Sequence, residues 1–99
     1  MKEYKIKWDE IMAKVNTVQD SVLNCDFKFY GIDPNGKVLS GLIGNPCEYP
    51  DEADVFVGSI YENDWMYSYY YENFGDKEFC FFYNREAEHE NEKLIFPWE

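Results

Sequence analysis

Residues 25–37 read Cys25-Asp26-Phe27-Lys28-Phe29-Tyr30-Gly31-Ile32-Asp33-Pro34-Asn35-Gly36-Lys37. In the first half Cys25, Phe27 and Phe29 alternate with Asp26, Lys28 and Tyr30, the period-two pattern of a half-buried strand. The second half holds Asp-Pro-Asn-Gly, whose residues supply turn geometry. The stretch therefore predicts a strand that runs into a hairpin turn over residues 32–37, with a second strand over residues 37–43 returning beside it. That turn sets an antiparallel frame for the whole chain.

Upstream, Tyr4, Trp8, Ile11, Val15, Val18 and Val22 recur at spacings of four and three, and Met12 and Leu23 widen the stripe. The spacing predicts a helix over about residues 8–24 with one apolar face. Tyr4, Ile6 and Trp8 also alternate as a short strand would, which would leave Asp9 as the helix N-cap.

Downstream, residues 44–52 contain Pro46 and Pro50 and no apolar period, a loop longer than most connections. Residues 54–61 predict a third strand, 62–64 a turn, and Trp65-Met66-Tyr67-Ser68-Tyr69-Tyr70-Tyr71 a fourth strand. After a turn at 73–76, residues 78–84 are aromatic on both faces and predict a central fifth strand. Leu94-Ile95-Phe96-Pro97-Trp98 offers a sixth, edge strand, which Pro97 ends. The expected architecture is one α+β domain spanning residues 1–99, an N-terminal helix packed on a five-stranded antiparallel meander with that sixth strand at its edge. This arrangement resembles the cystatin architecture in shape alone, since none of that family's binding motifs stands in the sequence.

The chain has 20 acidic and nine basic residues, a formal net charge of −11, and 20% aromatic residues. Its acidity argues against direct binding to nucleic acid or to an anionic membrane. Charge is also unevenly spread. Over residues 1–40 Glu3, Asp9, Glu10, Asp20, Asp26 and Asp33 balance Lys2, Lys5, Lys7, Lys14, Lys28 and Lys37. From Val38 to Asp76 there is no Lys or Arg, while Glu48, Asp51, Glu52, Asp54, Glu62, Asp64, Glu72 and Asp76 add negative charge. No stretch approaches the roughly 20 apolar residues of a membrane span and the N-terminus lacks a secretory apolar core, so a cytoplasmic protein is expected.

Catalytic and metal motifs are weak. Cys25, Cys47 and Cys80 are odd in number and far apart, which argues against a disulfide framework or a CxxC site. His89 lies in Glu86-Ala87-Glu88-His89-Glu90, an acidic stretch with no apolar wall to build a pocket. Glu86 and His89 have the Glu-x-x-His spacing of carboxylate metal sites, which need further ligands from other helices. Asp33-Pro34-Asn35-Gly36 lacks the bidentate Glu of a calcium loop. No enzyme, metal site or cofactor is expected.

The remaining reading is recognition. An acidic surface with aromatic anchors speeds encounter with a cationic partner and supplies affinity through desolvated rings. Cationic grooves are common in proteins that handle nucleic acid, so the expected partner is a basic protein, a nuclease toxin or a nucleic-acid-guided nuclease. The chain would then act as an immunity-like neutralising inhibitor, with a phage anti-defence protein (an anti-CRISPR inhibitor or DNA mimic) as the alternative. A module binding a small molecule or peptide on an aromatic sheet face is a further alternative, and a monomer or weak homodimer is expected. The candidate partner-binding residues are Asp51, Asp54, Glu62, Asp64, Glu72 and Asp76 for charge, and Tyr67, Tyr69 and Tyr71 as anchors, the last three sharing one face of the fourth strand.

Overall fold

A computed structural model describes residues 2–22, 26–61, 65–85 and 90–99, residues 65 and 66 by their backbone alone. The elements run β1 (Lys2–Lys5), α1 (Trp8–Ser21), β2 (Phe29–Gly31), α2 (Pro34–Ile43), a 3-10 turn (Pro50–Glu52), β3 (Val55–Tyr61), α3 (Trp65–Phe74), β4 (Glu78–Asn84) and β5 (Glu92–Ile95). Helix and strand coexist as expected, but the single helix and the five-stranded antiparallel meander do not stand. Among the described residues there are three α-helices and two small sheets, both parallel: β1 with β5, and β2-β3-β4. The likeness in shape to cystatins falls with the meander.

The first correction lies in the stretch that set the antiparallel frame. Asp33-Pro34 starts a helix. Asp33 has extended backbone and its Oδ1 accepts a hydrogen bond from the Gly36 backbone N–H, while Pro34 occupies the first turn. An Asp cap followed by Pro satisfies an orphan donor and presets φ for the helix, a start signal built from the same residues as a hairpin turn. Residues 37–43, expected as a strand, complete α2, with Gly36, Leu39, Ser40 and Ile43 buried at helical spacing. Close packing makes Gly31 obligatory, since a Cβ there would run into the Lys37 backbone.

The second correction concerns residues 65–71, which open α3 rather than a strand. Tyr67, Tyr70, Tyr71 and Phe74 recur at three and four and turn toward the sheet: Tyr70 and Phe74 lie 5.5 and 5.4 Å from the Phe56 ring, Tyr67 and Tyr71 5.6 and 6.3 Å from Phe79. Both strand-to-strand connections are thus helical crossovers, which is why β2, β3 and β4 pair in parallel. Their register sets Tyr30 opposite Phe56 and Phe56 opposite Phe79.

β3 is buried from Val55 to Ser59 because both faces of the sheet are covered. One face, with Phe29, Val55, Val57 and Phe82, packs against Ile11 and Val15 of α1 and Leu39 and Ile43 of α2. On the other, Phe56 with Tyr30, Phe79 and Phe81 packs against Tyr70 and Phe74 of α3. The strands succeed one another in one direction while α2 and α3 lie on opposite faces, so the two crossovers have opposite hands and one departs from the usual right-handed sense.

Three boundaries need comment. α1 begins at Trp8 as the apolar spacing predicts, with Lys7 rather than Asp9 at the cap position, and ends earlier, at Ser21; residues 23 and 24 lie outside the described residues. The strand expected over residues 25–30 contracts to Phe29–Gly31. The strand expected at residues 94–98 is β5, Glu92–Ile95, which pairs with β1 with Tyr4 opposite Leu94 and brings Ile6, Leu94 and Phe96 into the core.

Candidate functional site

The amino-terminal end of the three-stranded sheet gathers the acidic segments. Asp51 and Glu52 lie exposed on the 3-10 turn, and Asp54 lies exposed just before β3. The register places Val55 opposite Glu78, so Asp54 and Glu78 are neighbours across the sheet, with the Glu78 N–H 3.4 Å from the Asp54 carbonyl. α3 delivers Glu72 and Asp76 to the same end: both are exposed, and the Lys77 N–H donates to the Phe74 carbonyl as the chain turns into β4. Ala53 beside the 3-10 turn and Phe74 at the end of α3 pack into one cluster, which holds the two acidic segments together.

Helix polarity adds to this field. The last turn of α3 has no basic residue and contains Glu72, and Asp76 follows it, so carboxylates crowd the negative end of the macrodipole. Lys28 and Lys77 are the described cations flanking these segments. Lys28 presents its backbone N–H to Asp54 Oδ2 at 2.8 Å. Asp54 thus has a structural task, fastening the start of β3 to the segment before β2.

The expected anchors separate. Tyr67 is half-buried, its ring 5.1 Å from Tyr61 and 5.5 Å from Phe81, and burial raises its hydroxyl pKa. It belongs to the packing of α3. Tyr69 and Tyr71 are 53% and 55% exposed and remain available as contacts. Tyr71, one turn after Tyr67 and 5.8 Å from it, keeps to the same side of α3, whereas Tyr69 projects away and meets Tyr70 edge-on at 5.2 Å. Glu62 and Asp64 lie outside the described residues. Glu78 and Tyr49 were missed. Tyr49 is 58% exposed between Glu48 and Asp51, and the run Glu48-Tyr49-Pro50-Asp51-Glu52 carried the signal.

The opposite end of the sheet is filled from within. Where the chain leaves β2 and β3, α2 and α3 diverge to opposite faces, the situation in which α/β proteins commonly open a ligand crevice. Here Asp33 occupies it, Oδ1 on the Gly36 N–H and Oδ2 accepting from the Ser59 N–H at 3.2 Å and the Ser59 hydroxyl at 3.1 Å. An internal carboxylate takes the place an anion would hold at the start of α2.

One other polar cluster joins three elements. Glu10 of α1 accepts from the Tyr4 hydroxyl at 2.6 Å and from the Tyr83 hydroxyl, while Lys14 lies 4.6 Å from the Tyr83 ring centre and donates to the Phe82 carbonyl. The bond to Glu10, then partial burial, raises the Tyr4 pKa.

Both described thiols are held toward their protonated form. Burial, then the Glu52 charge, raises the Cys47 pKa against the smaller pull of Lys28, and burial raises that of Cys80. Among the described residues no three His, Cys, Asp or Glu side chains form a group able to hold a metal ion, and no helix is long and apolar enough to cross a membrane. His89, Glu86 and Cys25 lie outside the described residues. No family model matches the chain, and no curated protein or solved structure matches it.

Proposed function

We propose that the chain is a non-catalytic binding protein that neutralises a basic, nucleic-acid-handling protein, in the manner of an immunity protein against a nuclease toxin. One observation carries this reading: Asp51, Asp54, Asp76 and Glu78 all lie at the end of the sheet to which α3 also points its negative terminus. Carboxylates gathered at the negative end of a helix suit a surface whose task is to attract a cation. Exposed Tyr49, Tyr69 and Tyr71 supply rings that lose little side-chain entropy on contact and can stack on arginine or lysine.

The test is capture at low ionic strength from cells carrying basic nucleases, followed by assay of each purified candidate. A true target loses its nuclease activity at equimolar chain, and its association rate falls steeply as salt rises toward about 0.15 M. Failure of every retained nuclease to be inhibited, or association rates indifferent to salt, rejects the proposal.

A further inference from the structure

α1 and α2 cover the same face of the β2-β3-β4 sheet and run side by side in one direction. Two contacts fix this. Where both helices begin, Trp8 lies 5.7 Å from Trp98, whose indole N–H donates to Asn35 Oδ1 at 2.9 Å. Where both finish, the Gln19 side chain donates to the Ile43 carbonyl, also at 2.9 Å. Met12 follows Trp8 by one turn and Val38 follows Asn35 by one turn, so they continue the seam between the helices. This seam is open to solvent: Trp8 is 49% exposed, and Met12 and Val38 are each 38% exposed.

Gly41, three residues after Val38, stands on the same outer side of α2. A Cβ there would meet nothing within 4 Å, whereas at Gly31 and Gly36 it would strike neighbouring backbone. Glycine weakens a helix interior, and no internal contact asks for it at position 41. It leaves α2 flat beside the seam, where another surface can approach closely.

Charge says which surface. Residues 1–40 balance six acids with six lysines, and the surplus of acid lies beyond them. Ser21 and Val22 line a cavity with Glu78, so the acidic end of the sheet adjoins the finishing ends of the helices and lies away from Trp8 and Asn35. A strongly charged partner has nothing to grip at the seam. Asp9 in the first turn of α1 and Lys37 in the first turn of α2 are both exposed at the same end of the pair. A second copy, turned about a two-fold axis parallel to the helices, lays its α2 on this α1 and sets its Lys37 opposite Asp9, with the reverse pairing across the axis.

We infer that a second copy of this chain docks on the α1–α2 seam, with Trp8, Met12, Val38 and Gly41 at the centre and Asp9 of each copy against Lys37 of the other. The inference goes beyond the proposed function and does not depend on it. Two helices of 14 and 10 residues offer roughly 400 Å² on each copy, about half of a standard interface, so the dimer is a weak one. Both acidic ends then point the same way, and their repulsion opposes the dimer most at low salt.

Sedimentation equilibrium up to about 1 mM chain, with amide resonances followed over the same range, tests this. A dimer is expected, with concentration-dependent shifts along residues 8–20 and 34–43, tightening as salt rises from about 0.02 to 0.15 M. Gly41→Lys meets open space in the monomer and should leave the melting temperature of the dilute chain unlowered while weakening the dimer by about tenfold or more. Asp9→Lys and Lys37→Asp should each weaken it, and the two together should restore it to within about threefold of the parent chain. A chain still monomeric at about 1 mM overturns the inference. A dimer that Gly41→Lys leaves intact, or whose shifts fall outside the two helices, overturns the seam as its site. A double variant no tighter than the single ones overturns the facing of α1 against α2.

Discussion

Asp33 and Ser59 are tied twice: the backbone N–H and the hydroxyl of Ser59 both donate to one carboxylate oxygen of Asp33, at 3.2 and 3.1 Å. The other oxygen caps α2. This single side chain fixes the crossover from β2 to β3 at the point where α2 begins.

Asp33→Ala removes the cap and strips the largely buried Ser59 of its partner. A loss of about 2–3 kcal/mol is expected, from roughly 1 for the cap and 1–2 for an unsatisfied donor. Ser59→Ala removes one bond and should lose about 1 kcal/mol. Urea unfolding of the two variants checks the ranking; equal midpoints for Asp33→Ala and the parent chain would refute it.

Tyr67 and Tyr69 should part company. Tyr67→Ala removes a ring packed on Tyr61, Phe79 and Phe81, and should lower stability by about 2–4 kcal/mol. Tyr69→Ala should shift stability by no more than about 0.5 kcal/mol, as for an exposed position, and instead weaken partner binding. Paired thermal melts and binding titrations separate the two effects, and a Tyr69→Ala protein that melts like Tyr67→Ala would contradict the placement.

Alkaline pH should loosen the α3 face of the core. Burial, then the hydroxyl contact with Tyr30 at 3.5 Å, pushes the Tyr70 pKa up to about 12 from the model-compound value of 10.0. A raised folded-state pKa means that the contribution is complete below about 10 and is lost as pH rises toward 12, because the unfolded chain ionises first. Stability measured across that window should fall, and Tyr70→Phe should flatten the fall. A slope unchanged by Tyr70→Phe would exclude this tyrosine as its source.

Reversing Asp51 and Asp76 together to Lys should slow association with the partner by about tenfold or more at low ionic strength and change dissociation far less, because exposed charges act chiefly on encounter. Stopped-flow mixing measures both rates. A change confined to dissociation would place the contact elsewhere.

Much of the α1 stripe was legible, because Ile11, Val15, Val18 and Val22 repeat at helical spacing and nothing nearby competes. β3 and β4 were legible as apolar runs, although the central place expected for residues 78–84 belongs to β3, and β4 stands at the edge of its sheet. α2 was hidden by chemistry that serves two purposes, since Asp33-Pro34-Asn35-Gly36 turns a hairpin or caps a helix and only the covering of Val57 by Gly36 and Leu39 decides between them. α3 was hidden by overlapping periods: Tyr67, Tyr69 and Tyr71 alternate, while Tyr67, Tyr70, Tyr71 and Phe74 follow a helix, and aromatic residues lean toward the strand reading. With both crossover helices misread, parallel pairing had no basis. The acidic asymmetry survived these errors because it depends on composition, whereas the sorting of Tyr67 from Tyr69 depends on which side of α3 meets Phe79.

The pairing of Tyr4 with Leu94 has a consequence for synthesis. During translation, β1 must wait, unpaired, until Glu92–Ile95 has been made. α1 can coil early, but its apolar side stays short of Leu94 and Phe96 until β5 emerges. Completion therefore comes in one late step, and a ribosome stalled before residue 92 would leave an unfinished core.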